Sequence, residues 1–171
     1  DDGQSGSRVL LEAPAAIAGL ASAGDVDADG YDDLLIRAGS TAYLLMGHAG
    51  PWAETMVVAD EAAATFASVT GALGVGDVDG DQRAEWVTMA ANSVVLRGLN
   101  SSGSPEVIST IATSGATPRV AALGDVDGDN KADWLYTNGT NRILQYGAGT
   151  THTFSDYGGL LAAPGDVDGD G

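Results

Sequence analysis

Apolar residues occur in short runs separated by turns rich in glycine and aspartate, and nowhere with the sustained 3.6-residue period of a long helix. Four kinds of run recur in a fixed order. The first is small and apolar, at 16–20, 68–73, 119–123 and 160–163. The second is β-rich and opens on a carboxylate, at 33–36, 85–88 and 133–136. The third, at 42–46, 93–96 and 142–146, closes on a glycine: Gly47, Gly98 and Gly147. A weaker fourth lies at 54–58, 106–111 and 151–154. Runs of this length and composition, with turn residues between them, predict four short strands per unit.

An acidic loop joins the first strand of each unit to the second. Its heptapeptide occupies 24–30, 76–82, 124–130 and 165–171, and the leading aspartates Asp25, Asp77, Asp125 and Asp166 are spaced by 52, 48 and 41 residues. Four strands in about 48 residues is the arithmetic of a β-propeller blade. The expected fold is therefore all-β, a single propeller domain over residues 1–171 or part of one, with about 3.5 to 4 blades. Small residues in the first strand fit an inner position where strands crowd together. At the ends, 7–11 reads as the third strand of an incomplete blade, and the last acidic loop follows a lone first strand. Closure within the chain, pairing of two chains through these incomplete blades, and membership of a longer propeller all remain open.

The loops carry the candidate chemistry. Counting from the leading aspartate, carboxylates stand at positions 1, 3, 5 and 9: Asp25, Asp27, Asp29 and Asp33; Asp77, Asp79, Asp81 and Glu85; Asp125, Asp127, Asp129 and Asp133. Aspartate and glycine also make ordinary turns. The twelve carboxylates at these positions, gathered into three nine-residue windows, however, repel one another unless a cation intervenes. Hard oxygen donors in this number suit Ca²⁺, which takes six to eight oxygens at roughly 2.3–2.6 Å. The residue at position 7, Tyr31, Arg83 or Lys131, can add a backbone carbonyl. An EF-hand is excluded, because its bidentate glutamate at position 12 is replaced by Ile36, Thr88 and Tyr136.

Composition narrows the function classes. Asp and Glu number 24 against 7 Lys and Arg, for a formal net charge of −17, so there is no basic surface to bind nucleic acid. Cysteine is absent, which removes disulfides, thiolate metal sites and a cysteine nucleophile. No run of about 18 apolar residues exists to insert into a membrane.

The motif Gly-Asp-Val-Asp-x-Asp-x-x-x-Asp/Glu-Leu/Trp, repeated at blade spacing between two strands, resembles the FG-GAP or VCBS repeats of integrin α-chain-type propellers. The resemblance covers most of the chain, from about residue 15 to 171. It implies an extracellular calcium-binding propeller, with the ion in the loop between the first two strands and the position-9 carboxylate closing its site. The Phe-Gly and Gly-Ala-Pro tripeptides that name the family are not at their expected places, and Glu85 replaces aspartate. Asp166, Asp168 and Asp170 lack a position-9 partner.

His48 and His152 stand alone, without catalytic or metal-binding neighbours in sequence. Trp86 and Trp134 share a motif position with Leu34 and read as packing residues, whereas Trp52, in a Gly-Pro-Trp loop, is a candidate for ligand recognition. The expected function is a non-enzymatic adhesion or scaffold module for a protein or glycan ligand. A calcium-stabilised lectin is the alternative.

Overall fold

The computed structural model describes residues 9–115 and 117–155, whose regular elements are strands but for one helical turn. After β1 (Leu10–Glu12), the first sheet comprises β2 (Ile17–Gly24), β3 (Asp33–Ala38), β4 (Thr41–Leu45) and β6 (Ala64–Phe66). Between its last two strands are inserted β5 (Thr55–Val57) and a single helical turn, α1 (Val58–Glu61). The second sheet is β7 (Gly71–Gly76), β8 (Glu85–Ala90), β9 (Ser93–Leu99) and β10 (Pro105–Ala112). The third is β11 (Val120–Gly124), β12 (Asp133–Asn138), β13 (Asn141–Gln145) and β14 (Thr151–Phe154). Each sheet is an antiparallel meander in chain order. Among the described residues the three form an open series with no ring closure.

Side-chain alternation along the second strands decides how the sheets stack. The residue at position 11 faces the next sheet and its neighbours at 10 and 12 face the previous one. Leu35 thus joins Trp86 in the core between the first and second sheets, together with Leu44, Phe66 and Leu99. Val87 joins Trp134 and Tyr136 between the second and third, with Val94 and Ile143. The valine at position 2 follows the same logic. Val26 and Val78 are 0% exposed beneath the succeeding sheet, whereas Val126, with no described sheet beyond it, is 52% exposed.

First strands are small because they pass one another at backbone distance. A Cβ on Gly74 would lie 2.5 Å from the carbonyl oxygen of Ala23, and one on Gly24 would lie 2.5 Å from the Cβ of Ala84. The second junction repeats this at Gly76, where a Cβ would approach that of Ala132 to 2.6 Å.

Three expectations from sequence are corrected. The fourth strand of the first unit is Ala64–Phe66 rather than 54–58, because Phe66 packs into the first inter-sheet core. Thr55–Val57 instead pairs in parallel with β1, and its Met56 covers the opposite face of the first sheet beside Ile36 and Tyr43. The described part of the run expected as the third strand of an incomplete blade is accordingly placed otherwise: Leu10 and Leu11 lie in β1, which caps the first sheet through Leu11, and residues 7 and 8 lie outside the described residues. Finally, Gly98 does not end its run as Gly47 and Gly147 do. Register places Leu99 at that point, still paired with Pro105 in the ladder. The strand expected at 160–163 and the fourth acidic loop, with Asp166, Asp168 and Asp170, lie outside the described residues.

Candidate metal centres

Each of the three described acidic loops crosses between the first and second strands of its sheet, and its backbone turns left-handed at two positions inside the loop. At position 4 stand Ala28, Gly80 and Gly128 (φ 62°, 87° and 81°), and at position 6 Gly30, Gln82 and Asn130 (φ 90°, 73° and 63°). These reversals aim successive amides inwards at the leading aspartate. Asp77 accepts from Gly80 (2.6 Å), Gln82 (2.9 Å) and Asp81 (3.2 Å). Asp125 accepts from Gly128 and Asn130, both at 2.7 Å, and Asp25 from Gly30 at 2.9 Å. The position-5 carboxylates each bond the position-7 amide at 2.9 Å: Asp29 to Tyr31, Asp81 to Arg83 and Asp129 to Lys131.

Position 9 anchors the loop to the sheet. Asp33 accepts from the amides of Val26 (2.7 Å) and Gly47 (2.6 Å), and Asp133 from Val126 and Gly147, both at 2.8 Å. One carboxylate therefore ties the loop's second residue to the end of the third strand. Glu85 takes the amide of Val78 at 2.8 Å, while its longer side chain runs against Gly98, whose Cβ would meet Oε1 at 3.3 Å. All three position-9 groups are at most 2% exposed.

Carboxylate oxygens converge within 4.8 Å of one another in each loop, from Asp25, Asp27 and Asp29, from Asp77, Asp79 and Glu85, and from Asp125, Asp127 and Asp133. The sets differ in detail. Position 9 falls outside the first triple and position 5 outside the other two. The donors are all oxygen and anionic, without histidine or sulfur. That chemistry fits a hard divalent cation such as Ca²⁺ and not a zinc or copper site. Carboxylates already bonded to amides keep lone pairs for an ion, since each offers about four acceptor positions.

Without an ion the crowding appears in the acidities. Burial pushes the Glu85 carboxyl up to about 8, with the Val78 amide working downwards and Asp79, Asp81 and Asp77 adding to the rise. Asp33 is likewise raised, by burial first and by Asp27 and Asp25 further, against the amides of Val26 and Gly47. Asp127 is raised by desolvation and by Asp129 and Asp133. Asp125 moves the other way: desolvation raises it, but the amides of Asn130, Gly128 and Asp129 together prevail.

Successive loops are joined by backbone. Ala84 donates its amide to the carbonyl of Asp25 at 2.8 Å, and Ala132 to that of Asp77 at 2.6 Å. The residue beside one loop's position-9 carboxylate is thus bonded to the leading residue of the loop before it. These links, and the Gly47 and Gly147 amides, are functional groups that a reading by side-chain chemistry passes over. Their signal is the glycine 14 residues beyond Asp33 and Asp133.

Two of the remaining candidates, Trp86 and Trp134, take packing places. Trp86 and Trp134 are buried at 0% and 1% exposure between sheets. Trp52 is half-buried against the cap of the first sheet, with the His48 ring 4.5 Å away. His152 meets Phe154 edge to face, with ring centroids 4.6 Å apart. No described helix is long and apolar enough to cross a membrane. Compared with models of known protein families and with curated proteins, the chain matches none.

Proposed function

We propose that the chain is a calcium-loaded, propeller-type repeat module that serves as an extracellular binding or adhesion scaffold, presenting its surface to a protein or glycan ligand. The observation that carries this reading is the recurrence of one oxygen-donor constellation at the same place in three successive sheets. The strands gather each set only in the folded chain, so an ion that binds there stabilises the fold. The reading is non-catalytic, because the clustered carboxylates serve the ions and not a substrate. Ring closure, by this chain alone, with a second copy or within a longer propeller, completes it. Light scattering in calcium separates a 17.1 kDa monomer from a dimer.

Thermal melts with calcium and with chelator test the proposal. Sites with a dissociation constant near 0.1 mM would each add about 1.4 kcal/mol at about 1 mM calcium. The melting temperature should therefore rise markedly with the ion, and coincident midpoints would sink the reading.

A further inference from the structure

The two inter-sheet junctions are built on one plan but filled differently. In the first, Phe66 stands opposite Ala42 on the fourth strand, its ring 6.1 Å from that of Trp86, and the Arg97 guanidinium lies over it at 4.6 Å. Arg97 is itself the cross-strand partner of Trp86. The second junction keeps the tryptophan, Trp134, but its cross-strand partner is Gln145, and Ile111, opposite Val94, holds the place of Phe66. Register fixes this equivalence, since Leu44 and Leu96 pair with the position-11 residues Leu35 and Val87.

Losing an aromatic ring and a guanidinium leaves space. A cavity of about 360 Å³ lies here, lined by Trp134, Tyr136, Gln145, Ile111, Ser109 and Leu96. For scale, a cavity of about 150 Å³ holds benzene. Ile108, 39% exposed, stands at its edge. Trp134 is 1% exposed, and its Nε1–H, like that of Trp86 in the filled junction, has no hydrogen-bond partner among the described residues. Gln145, 8% exposed, is held by its Nε2, which donates to the carbonyl of Gly149 at 2.7 Å.

We propose that this cavity is a binding site for a small, uncharged aryl compound, its ring taking the place that Phe66 fills in the first junction. The tryptophan edge and Tyr136 supply aromatic contacts, Leu96 and Ile111 an apolar wall, and Ser109 and Gln145 polar surface. A chain of net charge −17 disfavours an anionic ring, so a phenol binds better than an arylcarboxylate.

The test is a titration of the full chain with phenol, followed through its three indole N–H resonances by NMR. The expected result is a saturable shift of the Trp134 signal and of the Gln145 side-chain amide, with the Trp86 signal unmoved and benzoate weaker than phenol. Ile111→Phe, which restores the ring of the first junction, should weaken phenol binding by roughly tenfold or more. An unmoved Trp134 signal would overturn the proposal. So would equal shifts at Trp86 and Trp134, or a methyl glucoside binding where phenol does not. The wild-type titration stands even if the variant fails to fold.

Discussion

The amide of Ala132 lies 2.6 Å from the carbonyl oxygen of Asp77, and a Cβ added at the adjacent Gly76 would press to 2.6 Å on the Cβ of Ala132. A hydrogen bond and a close contact thus hold the second acidic loop to the third within two residues. Side-chain volume at position 0 of the loop is limited by its successor.

That limit can be separated from backbone strain. Gly76 and Gly124 share a left-handed backbone (φ 87° and 77°), but a Cβ at Gly124 meets nothing within 4 Å among the described residues. Alanine at either site pays about 1–2 kcal/mol for conformation, and Gly76→Ala should lose about 1–3 kcal/mol more through overpacking. Chemical denaturation of the two variants measures the difference, and equal losses would show that the junction yields freely.

Left-handed residues other than glycine offer a gain. Gln82 holds φ 73° at position 6, where the first loop has Gly30. Gln82→Gly should stabilise the chain by up to about 1 kcal/mol, and Asn130→Gly by less, because asparagine tolerates this region better. Denaturation midpoints in chelator provide the comparison.

Glu85 sets a pH dependence for the metal-free chain. Its folded pKa of about 8 lies above the ordinary 4.5, so the folded state retains a proton that the unfolded chain releases. The resulting stability is fully present below about pH 4.5 and is lost as pH rises towards 8. Asp33 adds in the same direction and Asp125 against it. Melting temperatures in chelator should fall from pH 5 to pH 8, and Glu85→Gln should flatten the fall. Calcium binding at pH 7 should release a proton, visible as a buffer-dependent heat; a heat independent of buffer would refute the Glu85 assignment.

Asp127→Ala with Asp129→Ala should remove one calcium equivalent in calorimetric titration. Because Ala132 is bonded to Asp77, any change in the remaining affinities should fall on the second loop and not the first. An unchanged stoichiometry would mean that the third loop holds no ion.

The acidic loops were legible because their period and their chemistry coincide: Asp125, Asp127 and Asp133 converge as their spacing suggests. The fourth strand of the first unit was not. Residues 54–58 alternate as convincingly as Ala64–Phe66, and only the need to bury Phe66 against Trp86 selects the latter. The same contest between local pattern and tertiary packing assigned β1 to a cap. Leu99 was hidden by a glycine one residue away, a slip that becomes visible only when Leu96 is seen opposite Val87. The bonds from Ala84 and Ala132 involve backbone alone, and small residues at position 8 are their only trace in the sequence.

The alternation that sends position 11 forwards and positions 10 and 12 backwards gives every repeat both surfaces of a junction. A tandem duplication of one such unit therefore delivers a copy with the same forward and backward faces as its parent, whose side chains then refit at the new junction. Length can change by whole repeats in a single genetic event, while the contents of an individual junction, such as Phe66 in one and Ile111 in the next, drift separately afterwards.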